Sequence, residues 1–78
     1  LLQSALEHLV KGIVDRPDEV KVVSASSARG EVLEVHVNPE DLGRVIGRAG
    51  RTAKALRTLV TALADGRRVR VDVVDTDD

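Results

Sequence analysis

No cysteine occurs in the 78 residues, which excludes disulfides and thiolate metal sites and is compatible with a reducing cytoplasm. Phe, Trp, Tyr and Met are absent as well. The 42% of apolar residues are therefore Leu, Val, Ile and Ala, so the core must be aliphatic and no ligand can be held by aromatic stacking. His8 and His36 lack a Cys or a third ligand at metal spacing, and they read as solvent-facing. No apolar run approaches the roughly 20 residues of a membrane span. Gln3, Glu7, His8 and Lys11 interrupt Leu1 to Val14, which also argues against a signal peptide. The sequence opens on Leu rather than Met, as expected of a trimmed chain.

What is present suffices for one small domain over residues 1–78. A chain this short buries only about 60% of the surface that its unfolded form exposes, so its margin is thin and dimerisation would widen it. The net charge of -1 hides an uneven distribution. Residues 1–41 carry four basic and eight acidic groups. Residues 42–71 carry Arg44, Arg48, Arg51, Lys54, Arg57, Arg67, Arg68 and Arg70 against Asp65 alone, and Asp72, Asp75, Asp77 and Asp78 follow. A polyanion would meet a dipole whose attractive end is the middle of the chain.

Leu2, Leu6, Leu9 and Ile13 fall at the spacing of an amphipathic helix, which Pro17 ends. Glu19–Ser24 is β-branched, and Glu31–Val37 alternates apolar with polar residues, so two half-buried strands are predicted. The small, polar stretch Ser24–Gly30 predicts a mobile hairpin loop between them. Asn38-Pro39-Glu40-Asp41 is a helix start, with Asn as cap, Pro in the first position and carboxylates at the positive dipole end; capping alone accounts for Glu40 and Asp41. The helix it opens is short, with Leu42, Val45 and Ile46 as its apolar residues. A longer one runs from about Arg51 to Ala64, with Leu56, Leu59, Val60 and Leu63 on one side and Arg51, Lys54, Thr58 and Thr61 on the other. Arg67–Val74 alternates again as a last strand. The predicted architecture is α+β in the order α-β-β-α-α-β. The helical crossover makes the last two strands parallel in a three-stranded mixed sheet, with helices packed on one face.

Between the last two helices lies Val45-Ile46-Gly47-Arg48-Ala49-Gly50-Arg51-Thr52. Glycine at both ends of a two-residue turn permits positive φ and close approach of another backbone. The following helix presents unpaired N–H groups and its positive end to whatever approaches the turn, and Arg48 and Arg51 add full charges. That combination suits a phosphodiester backbone. Glycines at 43, 47 and 50 without a following Lys fit neither the phosphate loop of nucleotide hydrolases nor the dinucleotide fingerprint. No nucleophile, base and orienting group come together at catalytic spacing, so an enzyme is not expected, and no cofactor is called for.

Ile46-Gly47-Arg48-Ala49-Gly50 resembles the I-G-x-x-G signature of KH domains, whose G-x-x-G loop grips the backbone of about four single-stranded nucleotides. The element order is similar to the type II KH fold. Asp15-Arg16-Pro17-Asp18-Glu19-Val20, Pro39-Glu40-Asp41-Leu42-Gly43 and Gly50-Arg51-Thr52-Ala53-Lys54-Ala55-Leu56-Arg57 resemble the small bacterial single-KH family called KH-domain protein A. The likeness covers essentially the whole chain. It implies a phosphate-gripping loop of Gly47, Arg48, Ala49 and Gly50, with Arg51 beside it. Val45, Ile46, Ala53 and Lys54 would line an aliphatic groove walled on its other side by the last strand. It further implies a cytoplasmic RNA chaperone linked to cell elongation, a homodimer, and a heterodimer with a larger KH/Jag-type RNA-binding protein. Three alternatives stay open at this point. They are single-stranded RNA as the ligand, single-stranded DNA, and an interaction adaptor for which RNA is incidental. Arg44 and Arg57 sit on a polar helix face and are weaker candidates, while Arg67, Arg68 and Arg70 read as strand-edge charges.

Overall fold

The computed structural model describes residues 2–74. The acidic tail read at Asp75, Asp77 and Asp78 lies outside the described residues. The first helix, α1 (Leu2–Lys11), buries Leu6 and Val10, and Leu2 and Leu9 pack beside them. It ends where the Gly12 N–H donates to the carbonyls of His8 and Leu9. Ile13 lies past the helix end yet still packs on the core, so the apolar stripe outlasts the helix.

Strands β1 (Lys21–Ser27) and β2 (Gly30–His36) pair antiparallel. The segment predicted as a mobile loop is instead strand as far as Ser27, because Ser24 faces Leu33, Ala25 faces Val32 and Ser26 faces Glu31 in the ladder. Only Ala28 and Arg29 form the turn. Small polar side chains do not prevent pairing, and here they reinforce it. The Ser24 hydroxyl donates to the Glu31 carboxylate; the Ser27 hydroxyl donates to the Gly30 carbonyl and accepts from the Arg29 N–H.

Strand β3 (Val69–Val73) pairs parallel with β2, so β2 is central in the order β1-β2-β3. The crossover contains α2 (Leu42–Ile46) and α3 (Arg51–Ala64). The helices cover one face of the sheet, where Val22, Leu33, Val35 and Val71 are buried against Leu6, Val10, Val45, Leu56 and Val60. The predicted type II order, mixed sheet and one-sided helix layer are all present.

The inner face of α3 differs from the prediction. Ala53, Leu56, Val60 and Ala64 are buried, whereas Leu59 and Leu63 are 47% and 57% exposed. At about 100° per residue, positions 59 and 63 form their own ridge rotated by about 60–100° from the buried line. The small Ala53 and Ala64 extend the buried line to both ends of the helix, so counting large residues alone misplaces the face.

Candidate nucleic-acid interface

The loop is held from behind before it is shaped from within. The Asn38 side chain accepts from the Glu40 N–H at 2.8 Å, as expected of a cap. Asp41 does something capping does not explain. It is 2% exposed, and its two carboxylate oxygens accept from the N–H groups of Asp15 and Arg16, each at 3.1 Å. The turn after α1 is thereby tied to the start of α2. Bonds from N–H donors to a buried carboxylate are stronger than neutral ones, so the tie is a firm one. Val45 anchors α2 from the other side with no exposed surface at all.

Helix α2 stops at Gly47, whose N–H donates to the Gly43 carbonyl at 2.8 Å. With φ 78° and ψ 172°, Gly47 occupies backbone space that L side chains avoid. A Cβ there would also meet Thr52, lying 2.8 Å from its backbone nitrogen. Gly50 closes the loop in the left-handed region at φ 74° and ψ 14°. Ala49 shares that region at φ 57° and ψ 25°, an unfavourable geometry for a residue with a Cβ. The Gly50 N–H bonds back to the Gly47 carbonyl at 3.1 Å, which keeps the bend tight. No side chain caps the N-terminus of α3; of its first-turn N–H groups, that of Arg51 donates to the Arg48 carbonyl, and the positive end of the helix faces the loop.

The cations around this bend divide into two sets. Arg44 is engaged, at 3.0 Å from Asp15 and 3.8 Å from Asp41. Arg57 folds over β3, and its Nε donates to the Val71 carbonyl at 3.2 Å. Arg48, Arg51 and Lys54 are exposed and form no ion pair among the described residues. Three uncommitted positive groups therefore surround an uncapped helix end.

A shallow, largely apolar groove of about 500 Å³ leaves the loop along α3, lined by Arg51, Lys54, Ala55, Thr58 and Leu59. Ile46, 38% exposed, stands on the other flank of the loop. Two expected lining residues are not at the surface. Val45 and Ala53, at 0% and 5% exposure, belong to the packing beneath the loop and support it without offering a contact surface. Strand β3, expected as the far wall, lines no part of this groove. Ala55, Thr58 and Leu59 join Arg51 and Lys54 there because their spacing puts all five on one helical face.

Residues 3–74 match the family described as KhpA/KhpB, KH domain. The chain belongs to this KH-domain family. "RNA-binding protein KhpA" of Leifsonia xyli subsp. xyli is 83% identical over 75 residues, covering 96% of this chain and 99% of its own. The protein of the same name from Streptomyces coelicolor is 66% identical over 77 residues, covering 99% and 96%. That of Mycobacterium bovis is 66% identical over 73 residues, covering 94% and 90%. No solved structure matches. Among the described residues of this KH domain, no helix is long and apolar enough to cross a membrane, and no three His, Cys, Asp or Glu side chains gather as metal ligands would.

Proposed function

We propose that residues 1–78 form a single KH domain that binds single-stranded RNA through the Gly47–Gly50 bend, as a binding module and not an enzyme. The observation that carries this reading is the bend's geometry together with its three unpaired cations. The near relatives bear the name RNA-binding protein, which supports it. A phosphate would sit against the first-turn amides of α3, close to the glycine backbone, with Arg48 and Arg51 beside it. Bases would lie on Ile46 and along the groove at Ala55 and Leu59. Aliphatic contacts and backbone charge discriminate little between bases, so sequence preference is modest.

Few phosphate contacts give weak monomer affinity, and pairing two copies raises it through effective concentration. Leu63, exposed outside that groove, supports such pairing, with itself or with a larger KH/Jag-type RNA-binding protein. A cytoplasmic role in RNA chaperoning or post-transcriptional control is consistent with this chemistry. The same leucine favours a second reading, an adaptor for which RNA is incidental.

The double variant Arg48→Asp/Ala49→Asp separates the two. Asp tolerates the left-handed region better than Ala does, so the fold survives while the loop turns negative. Loss of binding to unstructured RNA in a filter or anisotropy titration is expected, and unchanged binding by the folded variant refutes the loop assignment. An adaptor keeps its partner complex, read by sedimentation, and its cellular role after RNA contacts are lost.

A further inference from the structure

At the end of the sheet remote from the bend, the β1–β2 turn meets the start of β3. Arg29, Arg67, Arg68 and Arg70 line one groove of about 400 Å³ there, with Thr61 and Glu31. The corner is built tightly. The Glu31 N–H donates to the Arg68 carbonyl at 2.9 Å, and a Cβ on Gly30, at φ 124°, would stand 2.5 Å from that same carbonyl. Among the described residues, one of the four arginines is neutralised nearby, Arg67 by Glu31 at 3.3 Å. Arg29, Arg68 and Arg70 are exposed and make no ion pair among the described residues. Asp65 and Asp72 flank the corner in sequence, and both face solvent.

Discouraging edge pairing does not account for this cluster, because Arg29 arrives from a different part of the chain and joins the others only through the fold. The 14 residues of α3 separate the corner from the bend, about 20 Å along the helix axis. We infer that the corner is a second phosphate-binding surface, which takes the backbone of an RNA strand already held at the bend. This rests on the RNA reading of the loop. Guanidinium forks match phosphate oxygens in pairs, and a polynucleotide supplies such anions at regular intervals without a shaped partner surface. A strand that fills the bend alone does not reach the corner; a longer one engages both.

The test compares the intact chain with Arg68→Gln/Arg70→Gln, which keeps most of the aliphatic stems, on oligouridylates of two lengths over a salt series. A short strand of about four nucleotides, enough for the loop, binds both proteins equally. A strand of about twenty binds the variant roughly tenfold more weakly, with a log-log salt slope shallower by about 1.4, since each lost phosphate contact removes about 0.7. Equal long-strand affinity and slope overturn the inference. So does polyglutamate that displaces the long strand from the intact chain and loses its own binding in the variant, because the corner then belongs to an acidic protein. Failure of the loop reading shows separately, as unchanged short-strand binding by Arg48→Asp/Ala49→Asp; the corner is then judged on the long-strand slope alone. If the double variant melts early, Arg29→Gln at the exposed turn replaces it.

Discussion

Asp41 and Ala49 are residues where local chemistry and global architecture meet. Asp41 sits two places after a proline helix start, and from sequence its carboxylate is explained by the helix dipole. What it does is bind two amides more than twenty positions away in sequence, and pairing at that separation leaves no local signature. Asp41→Ala strands both amides and leaves Arg44 with Asp15 alone, so a loss of about 2–4 kcal/mol in urea unfolding is expected. Asp41→Asn keeps an acceptor and loses less. Ala49 was legible as the variable part of a G-x-x-G loop, but its left-handed backbone was not. Relieving that geometry should outweigh the extra unfolded-state entropy of glycine by about 0.5–1 kcal/mol. Ala49→Gly should therefore raise the melting temperature by about 2–6 °C. Gly47→Ala goes the other way, because both its φ and the nearby Thr52 exclude a Cβ; early melting is the expected readout.

Among the elements, periodicity located α1, α3 and all three strands, because each has one face on the core. It failed where side-chain size stood in for packing. Helix α3 buries the small Ala53 and Ala64 and leaves Leu59 and Leu63 outside, so residue size does not mark its inner face. The serines of β1 resemble a loop in sequence because composition reports flexibility, whereas pairing with Leu33 and Glu31 is decided by the opposite strand. The outward ridge has its own consequence. Leu63→Lys removes nothing from the core, so monomer stability should change by no more than about 0.5 kcal/mol. If Leu63 lies in the pairing surface, analytical ultracentrifugation should show the sedimentation coefficient falling toward the monomer value.

For the molecule as a whole, the sequence displayed the charge asymmetry but not its layout. The fold divides the basic middle of the chain between the bend and a distant corner, and removes Arg44 and Arg57 into structural contacts. It also manages both sides of the sheet. Gln3 donates to the Val22 carbonyl at 2.6 Å on β1, and Arg57 reaches the Val71 carbonyl on β3. In a small sheet with two open sides, such plugs oppose strand addition from another chain. Arg57→Ala should lower stability by about 1 kcal/mol through one lost bond. It should also increase light scattering on heating, by unmasking part of β3.

The parallel pairing of β2 with β3 also has a temporal side. Domains assemble as units while synthesis proceeds from the N-terminus, and β1 with β2 can zip locally. The bend, by contrast, belongs to the crossover, and the sheet face that α3 packs on lacks Val71 until Val69–Val73 has left the ribosome. A nascent chain therefore carries every residue of its grip well before it can close its hand, and competence arrives only once Val69–Val73 has been made.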